Sequence, residues 1–302
     1  VAARVDVSAD ARGRPLRVGI DLRLRAYRGG GIAEHGSRLI AGLAELEAAG
    51  PLNLGGRPFV PLRLEHRRGR RGARLRAAPF AARWLLTPPH HRLEGLSLPV
   101  ELLGAGLDLL HSPDFIVPRF WRGASVITVH DLTFLRQPEL LTADSRRYYG
   151  QVHRSLRQAD GVIAVSRYTA TEIAALTGTP PAKVHVVPNA VHPRFRPDAD
   201  PVADRAVWER LDLVDGEGLR PTVLFVSTIE PRKNLATLLR AFALLGRGDP
   251  RLLLLLAGAE GWLSAEVHQL AASLGLGERA RFLGHVADED LPALYRGARL
   301  LA

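Results

Sequence analysis

Residues 222–245 read TVLFVSTIEPRKNLATLLRAFALL and contain the strand, turn and helix that decide the fold. The apolar run 222–226 predicts a buried strand, and the segment after the turn carries apolar residues on one helical face. Those apolar residues are Leu235, Leu238, Leu239, Phe242 and Leu245. A strand that passes through a short turn into an amphipathic helix is the repeating unit of parallel α/β proteins.

The turn places two adjacent cations, Arg232 and Lys233, at the start of the predicted helix. The positive end of a helix dipole disfavours cations at that position. A bound diphosphate would complete their charge, so the pair predicts an anion site in which Pro231 restricts the turn and Glu230 orients a cation. A solvated helix entrance is the alternative interpretation.

Short apolar runs alternate with helical patterns along the whole chain, which predicts parallel α/β architecture. The predicted strands are 16–22, 107–110, 125–129, 161–165, 184–187, 222–226, 251–257 and 281–283. Helices are expected over 32–48, after a Ser166 N-cap up to Gly178, over 235–245 and over 290–296. The residues 193–221 are polar and rich in Pro and Asp, which predicts an interdomain connection with one short helix around Trp208. We therefore expect two domains, 1–192 and 193–302.

Composition limits the partners without choosing one. The 302 residues include 41 Lys and Arg against 31 Asp and Glu, a net charge of +10 that favours phosphates, nucleic acid or an acidic membrane surface. The absence of Cys excludes disulfides and Cys-based metal sites. No apolar run approaches the roughly 18 residues of a membrane-spanning helix, and the first residues lack a signal-peptide core. An intracellular protein is expected.

The segment 63–76, RLEHRRGRRGARLR, holds seven arginines. We expect a mobile basic surface loop, with membrane or nucleic-acid contact as the alternative. No aromatic residue interleaves with these arginines, which argues against stacking on single-stranded nucleic acid.

Other features lie where predicted strands end, the edge at which open α/β sheets bind ligands. The glycines 29–31 precede a helix, so their backbone could approach a phosphate, although a plain glycine turn is an equal alternative. His130 and Asp131 follow the strand 125–129 and could act as an acid/base pair or hold a sugar hydroxyl; a His bonded only to backbone is the alternative. The turn 258–262 is predicted to be structural, and ligand binding is the alternative. The spacings around His111 and the pair His90–His91 match no metal site.

Taken together, these residues resemble family-4 glycosyltransferases of the GT-B fold, nearest to the bacterial mannosyltransferase-like members. The resemblance runs from about Leu16 to Ala302 and rests on the order and spacing of several segments. They are GGGIAEHGSRLI, HSPDFIVP, VITVHDLTFLRQPE, ADGVIAVSRYTATEI, KVHVVPNAV, VSTIEPRKN, LLLAGAEGW and RFLGHVADEDLPALYRGARLLA. It implies two facing Rossmann-like domains with parallel sheets, the first mainly for the acceptor and the second mainly for a nucleotide-diphosphate sugar.

The resemblance implies a retaining transfer of a hexose, with mannose favoured, in the cleft between the domains. The donor would be a GDP- or UDP-linked sugar, and no metal and no further cofactor would be required. Gly30 and Gly31 would approach the donor diphosphate, His130 would contact the transferred sugar, and Arg232 and Lys233 would neutralise the departing diphosphate. The acceptor would be a glycan or a lipid-linked glycan in cell-surface polysaccharide synthesis. A cytoplasmic location follows, with peripheral contact at the inner membrane face, and no nucleic acid is expected as a partner.

Two departures from the family pattern bear on the donor site. Many members carry Arg where this chain has Thr228, so the phosphate contacts would rest more on Arg232 and Lys233. The E-x7-E motif of the family follows a strand that here begins at Arg299, so we expect a C-terminal truncation, an incomplete second domain and weak activity of these residues alone. The alternatives are a sugar-nucleotide-binding module without activity and a basic nucleic-acid-binding protein.

Overall fold

The structure, a computed structural model, describes residues 14–27, 30–71, 80–141, 143–198, 200–245, 248–261 and 264–302. The chain divides into two compact units, the first ending at Asn189 and the second beginning at Ala190. Within the described residues, no helix is both long enough and apolar enough to cross a lipid bilayer.

The first unit is built on one sheet with the strand order β2-β3-β1-β5-β6-β7-β8, and β4 pairs with the C-terminal part of β3, at residues 63–66. Neighbouring strands run parallel except for the antiparallel pair β2–β3. The strands are β1 (Leu16–Asp21), β2 (Asn53–Leu54), β3 (Arg57–His66), β4 (Ala82–Leu85), β5 (Leu109–Ser112), β6 (Ala124–Val129), β7 (Gly161–Ala164) and β8 (Val184–Val186).

Helices follow the strands, as the alternation in sequence predicts. They are α1 (Gly31–Ala49), α2 (Glu94–Leu102), α3 (Thr133–Arg136), α4 (Ala143–Tyr149), α5 (Val152–Gln158) and α6 (Arg167–Thr177). Short 3-10 turns lie at Arg23–Ala26, Arg67–Arg71, Pro138–Leu140 and Pro181–Lys183. The predicted ends of α6 are confirmed: the Ser166 hydroxyl accepts the Thr169 N–H at 3.0 Å, and Gly178 closes the helix at φ 68°.

The core of this unit forms where apolar strand residues meet the inner faces of the helices. Ile127 and Val129 of β6 are fully buried with Leu156 of α5 and Ile173 of α6. Their shared apolar area leaves water on folding, which is the main force that fixes the helices on the sheet.

The basic segment 63–76 is the largest correction to the sequence analysis. Residues 63–66 are the end of β3, between β1 and β4, and Arg63 and Glu65 are buried at 4% and 0% exposure. The Arg63 guanidinium donates to the Glu65 carboxylate at 3.2 Å, so each charge gains a partner on leaving water. The prediction of a mobile loop is therefore wrong for 63–66, whereas residues 72–76 lie outside the described residues.

The second unit has the parallel strand order β13-β12-β11-β14 and a small antiparallel pair, β9–β10. Its strands are β9 (Val214–Asp215), β10 (Gly218–Leu219), β11 (Thr222–Val226), β12 (Leu253–Ala257), β13 (Ala280–Gly284) and β14 (Leu300–Leu301). Its helices are α7 (Pro201–Arg210), α8 (Leu235–Leu245), α9 (Ser264–Ser273) and α10 (Leu291–Gly297), with 3-10 turns at Pro231–Lys233 and Gly277–Arg279.

The unbroken apolar run of β12 has a simple reason: both of its faces are covered. Leu254 and Leu256 belong to the cluster that contains Leu239 of α8, whereas Leu253 and Leu255 belong to the cluster that contains Leu294 of α10. Successive strand residues point to opposite faces, so a strand buried on both sides has no polar positions.

The segment 193–221 is the second correction. It contains α7 and the β9–β10 pair, which pack into the second unit. The Asp204 carboxylate accepts both the Nε and an Nη of Arg296 on α10, at 2.7 and 2.5 Å, and the Trp208 indole donates to the Ala293 carbonyl at 2.9 Å. The polar composition reflects these pairs and not a free linker. The short helix predicted around Trp208 is confirmed as α7. No strand was predicted at β2, β3, β4, β9 or β10 and no helix at α2, α3, α4, α5 or α9, and the strand predicted at 107–110 stops before His111 and Ser112, which lie within β5.

Candidate active site

The first predicted binding edge is the N-terminus of α1, directly after β1. Gly30 is the N-cap and its carbonyl accepts the Glu34 N–H at 2.9 Å, so the helix begins at Gly31; Gly29 lies outside the described residues. Both glycines are exposed, and a methyl group added to either Cα would meet no atom within 4 Å. The N–H groups of a first helical turn lack intrahelical partners, so this open edge can receive an anion.

The two glycines are present for different reasons. Gly30 has φ 145° and ψ 172°, a backbone conformation that favours glycine, whereas Gly31 begins a regular helix. Neither the backbone nor the described surroundings therefore exclude an alanine at position 31. A Gly31→Ala variant can thus test a role in ligand approach without disturbing the fold.

His130 lies at the end of β6, as predicted, and is held by backbone on one side. Its Nε2 lies 2.9 Å from the Pro113 carbonyl, which can only accept, so Nε2 carries the hydrogen. In the neutral ring the other nitrogen, Nδ1, is then an acceptor. One ring nitrogen of His130 is thus bonded to backbone, and the other can accept a hydrogen bond from a substrate hydroxyl.

His35 connects His130 to the glycine edge. The rings of His35 and His130 meet edge to face with centroids 5.0 Å apart. His35 comes four residues after Gly31, one turn along α1, so the contact brings His130 beside the N-terminal turn of that helix. Burial, and then the neighbouring His130, lowers the pKa of His35, although a hydrogen bond to Asn189 works in the opposite direction.

A third histidine lies beneath this pair in the sheet. The Nε2 of His111 is 3.1 Å from the Thr128 hydroxyl, and burial, with a smaller effect of His35, lowers the pKa of His111 to about 4. His35 and His111 therefore both favour the neutral ring. The exposed Asp131 carboxylate accepts the Thr133 N–H at 3.0 Å, at the start of α3.

The second predicted edge is the loop between β11 and α8 in the other unit. The Glu230 carboxylate is 8% exposed and accepts the Nε and an Nη of Arg232, at 3.1 and 2.8 Å. Arg232 remains 35% exposed. Glu230 thus holds the guanidinium in one orientation while the rest of that group faces solvent.

Lys233 carries the remaining charge of the loop. Its ammonium has no ion-pair or hydrogen-bond partner among the residues that the structure describes, and Glu230 already compensates Arg232. The backbone continues through Asn234, at φ 52°, into α8, where the Asn234 carbonyl accepts the Thr237 N–H at 3.1 Å. An unpaired cation beside a helix N-terminus is unfavourable unless an anion binds there.

The turn after β12 supports this loop from one side, which favours the structural interpretation of its glycines. A side chain at Gly258 would lie 1.9 Å from the Ser227 carbonyl oxygen, and one at Gly261 would lie 2.9 Å from the Thr228 methyl group. The Ile229 N–H also donates to the Ala259 carbonyl at 3.0 Å. Thr228 therefore packs against the turn; Trp262 lies outside the described residues.

The structure thus groups Gly30, Gly31 and His130 in the first unit and Thr228, Arg232 and Lys233 in the second. The sequence analysis missed His35 and the Pro113 carbonyl. The spacing of His35 from the glycines was a usable signal, but its contact with His130 joins distant parts of the chain. Among the described residues, no group of three or more His, Asp or Glu side chains could hold a metal ion.

Comparison with known proteins matches each unit to a glycosyltransferase family. Residues 30–195 match the family Glycosyltransferase Family 4, and residues 216–302 match Glycosyl transferases group 1. The O-antigen chain mannosyltransferase B of Escherichia coli is 32% identical over 193 residues, which are 63% of this chain and 49% of that protein. The GDP-mannose-dependent alpha-(1-6)-phosphatidylinositol monomannoside mannosyltransferase of Mycolicibacterium smegmatis is 35% identical over 144 residues, 48% of this chain and 36% of that protein.

The chain spans about half the length, or less, of these curated relatives. Among solved structures, Anabaena HepE in complex with UDP and glucose superposes with a TM-score of 0.68 at 20% identity, covering 95% of this chain and 73% of that one. The likeness shows that the two units have the fold of GT-B glycosyltransferases, with Rossmann-like parallel sheets. The chain belongs to glycosyltransferase family 4.

Proposed function

We propose that the protein is a retaining glycosyltransferase that moves a hexose from a nucleotide-diphosphate sugar to a glycan or lipid-linked acceptor. The observation that carries the proposal is the loop after β11, where Glu230 holds Arg232 and no described residue compensates the charge of Lys233. This loop lies in the part of the chain that matches Glycosyl transferases group 1. A donor diphosphate would supply the negative charge that complements these cations.

The chemistry assigns these cations to the leaving group. The bond between the anomeric carbon and the β-phosphate oxygen breaks, the acceptor oxygen bonds to that carbon, and the proton of the acceptor hydroxyl passes to solvent. The nucleotide diphosphate leaves with the bonding electrons and gains negative charge. Arg232 and Lys233 would stabilise that charge where it develops, which lowers the barrier more than uniform substrate binding does.

The first unit would contribute neutral groups. Because Nε2 of His130 donates to Pro113, its Nδ1 would accept a hydrogen bond from a hydroxyl of the transferred sugar. Gly30 and Gly31 would let the donor approach the backbone of α1. No metal and no further cofactor enters the proposal.

The named relatives favour mannose as the sugar. The Escherichia coli relative is a mannosyltransferase, and the Mycolicibacterium smegmatis relative is GDP-mannose-dependent and acts on a phosphatidylinositol mannoside. HepE was solved with UDP and glucose. We therefore place GDP-mannose before UDP-glucose as donor, and cell-surface polysaccharide or glycolipid synthesis at the inner membrane face as the setting.

The test is donor turnover and donor binding, measured side by side for the wild type, His130→Ala and His185→Ala. His185 is exposed on β8 and serves as the matched control. We expect His130→Ala to slow sugar transfer by about 100-fold or more, in the range of a lost catalytic side-chain contact, with little change in nucleotide affinity. The control should behave like the wild type.

Two results would contradict the proposal. If neither GDP-mannose nor UDP-glucose binds at millimolar concentration, the donor assignment is wrong. If a donor binds but no acceptor supports transfer, even in a chain extended beyond residue 302, a sugar-nucleotide-binding module is the better description. Oligonucleotide binding is not expected, because no aromatic residue interleaves with the arginines of 63–76.

A further inference from the structure

Helix α2 carries an apolar face that the described residues leave uncovered. Leu93, just before the helix, and Leu96, Val100 and Leu103 are spaced by three, four and three residues, so they share one side. They are 57%, 56%, 65% and 71% exposed. The opposite side of the helix is anchored, because Leu98 and Leu102 are buried in the cluster that contains Leu62 and Leu64 of β3.

Single exposed aliphatic residues are ordinary, but a continuous stripe of four along one helix and its two cap residues is not. The stripe lies on a helix fixed to the sheet, so it cannot turn inward without breaking the core contacts of Leu98 and Leu102. Such a face marks a surface that docks on something apolar.

Cations border this stripe. A surface cavity of about 790 Å³ opens beside α2, and its described lining includes Leu96, Phe120, Arg92, Arg119 and Arg154 and no acidic residue. Phe120 is 53% exposed, and the Arg119 guanidinium lies 5.6 Å from the centre of its ring. Neither Arg92 nor Arg119 forms an ion pair with any described residue, so their charge is free to meet an anion.

The carboxylates of α2 do not neutralise this surface. Glu94 is buried and bound by Arg23 at 2.5 Å. Glu101 accepts the N–H groups of Leu86 and Thr87, at 2.5 and 2.8 Å, on another side of the helix. The exposed face is therefore apolar and cationic, without a compensating negative charge among the described residues.

We propose that this surface, formed by Leu93, Leu96, Val100, Leu103, Phe120, Arg92 and Arg119, docks on a bilayer that contains anionic phospholipids. Aliphatic side chains gain by entering the boundary of the acyl region, while arginines beside them remain at the level of the phosphates. A protein partner would need acidic groups at its rim to match the same arginines, whereas a phosphate-rich bilayer supplies them everywhere. The inference deepens the lipid-linked acceptor of the proposed function and rests on it only for that link.

The test is cosedimentation with vesicles, in the absence of any donor sugar. We expect binding to vesicles of phosphatidylcholine mixed with phosphatidylglycerol, at least tenfold weaker binding to phosphatidylcholine alone, and loss of binding as salt screens the charges. Because no transfer reaction is involved, failure here and failure of the proposed activity are distinguishable.

Two double variants separate the apolar and the charged parts. Leu96→Glu with Val100→Glu should reduce binding to the mixed vesicles at least tenfold, while Leu244→Glu with Leu245→Glu, equally exposed on α8, should reduce it far less. Arg92→Glu with Arg119→Glu should also reduce it at least tenfold. Arg157→Glu with Arg240→Glu makes the same change in net charge at exposed sites elsewhere and is the control.

All four variants change exposed side chains, so circular dichroism should show folded proteins. The proposal is overturned if the wild type ignores the mixed vesicles, or if each variant binds like its control. It is also overturned if light scattering shows an oligomer that Leu96→Glu with Val100→Glu converts to a monomer, because the face is then an interface between protein chains.

Discussion

The two candidate edges share one architecture, a strand that leads through a turn to a helix N-terminus, but they present opposite chemistry. At α1 the turn is glycine backbone beside His130 and His35, and the lowered pKa of His35 favours its neutral ring. At α8 the turn carries Glu230, Arg232 and Lys233, and one positive charge is left over.

The difference shows two ways to prepare a helix N-terminus for an anion. Backbone N–H groups act at short range and need open space, which glycine provides. A cation acts at longer range but opposes the helix dipole while the site is empty, so it costs stability that only the ligand recovers. The charged edge should therefore govern nucleotide affinity, and the glycine edge should adjust close approach.

The largest expected effect concerns the neutrality of the first edge. The pKa of His111 is about 4 because the ring is buried, whereas an unfolded histidine titrates near its ordinary value of 6.5. As the pH falls from about 6.5 to 4, His111 becomes protonated in the unfolded chain but stays neutral in the folded chain. The free energy of unfolding therefore decreases over this range. A lowering of that size corresponds to about 3 kcal/mol.

Urea unfolding at pH 7 and pH 4.5 measures this loss. His111→Gln should remove most of the acid-sensitive part, and His185→Gln, at an exposed position, should leave it unchanged. His35 adds a smaller contribution of the same sign, since its pKa is lowered too. An equal pH dependence in His111→Gln and the wild type would show that the buried ring does not set it.

The next effect is on nucleotide affinity at the charged edge. Lys233→Ala should weaken binding of GDP or UDP roughly ten- to a hundredfold, the usual range for losing one charge-assisted hydrogen bond. Arg240→Ala removes the same charge from the exposed side of α8 and is the control. Calorimetry at two salt concentrations measures the nucleotide affinity of both variants. Equal affinities would contradict the proposal that the charged edge governs nucleotide binding.

The smallest effect is at the glycine edge. Gly31→Ala and Gly42→Ala both place a methyl group on α1 where no atom lies within 4 Å, so both should stabilise the helix by about 0.5–1 kcal/mol. We expect only Gly31→Ala to weaken nucleotide binding, by roughly threefold to tenfold (about 1 kcal/mol). Thermal unfolding and calorimetry on the same samples separate the two properties. Unchanged affinity in Gly31→Ala would assign these glycines to the turn alone.

Much of the fold was predictable because local patterns carry it. The β12 run is apolar at every position, α8 has its leucines on one face, and Ser166 and Gly178 cap α6. Each of these signals depends on residues within one element, so short-range physics is enough to interpret it. The candidate residues at the ends of β6 and β11 could be located for the same reason.

The predictions for segments 63–76 and 193–221 were wrong where polar residues pair with residues far away in the sequence. Arg63 and Glu65 read as surface residues, yet in β3 they are buried, and Arg25 lies 3.4 Å from the Glu65 carboxylate. Asp204 and Arg296 likewise turn a segment of linker-like composition into a packed helix. A charged residue has the same identity whether it is solvated or paired, so composition cannot separate the two cases.

The sequence by itself predicted the strand–helix alternation in outline, the family, and the positions of Gly30, Gly31, His130, Arg232 and Lys233 at strand ends. Only the tertiary structure decided that His35 meets His130, that Lys233 has no partner among the described residues, and that α2 turns one leucine face to the core and another outward. The physical reason is that hydrophobic periodicity is a property of one element, whereas burial and charge compensation depend on which elements meet.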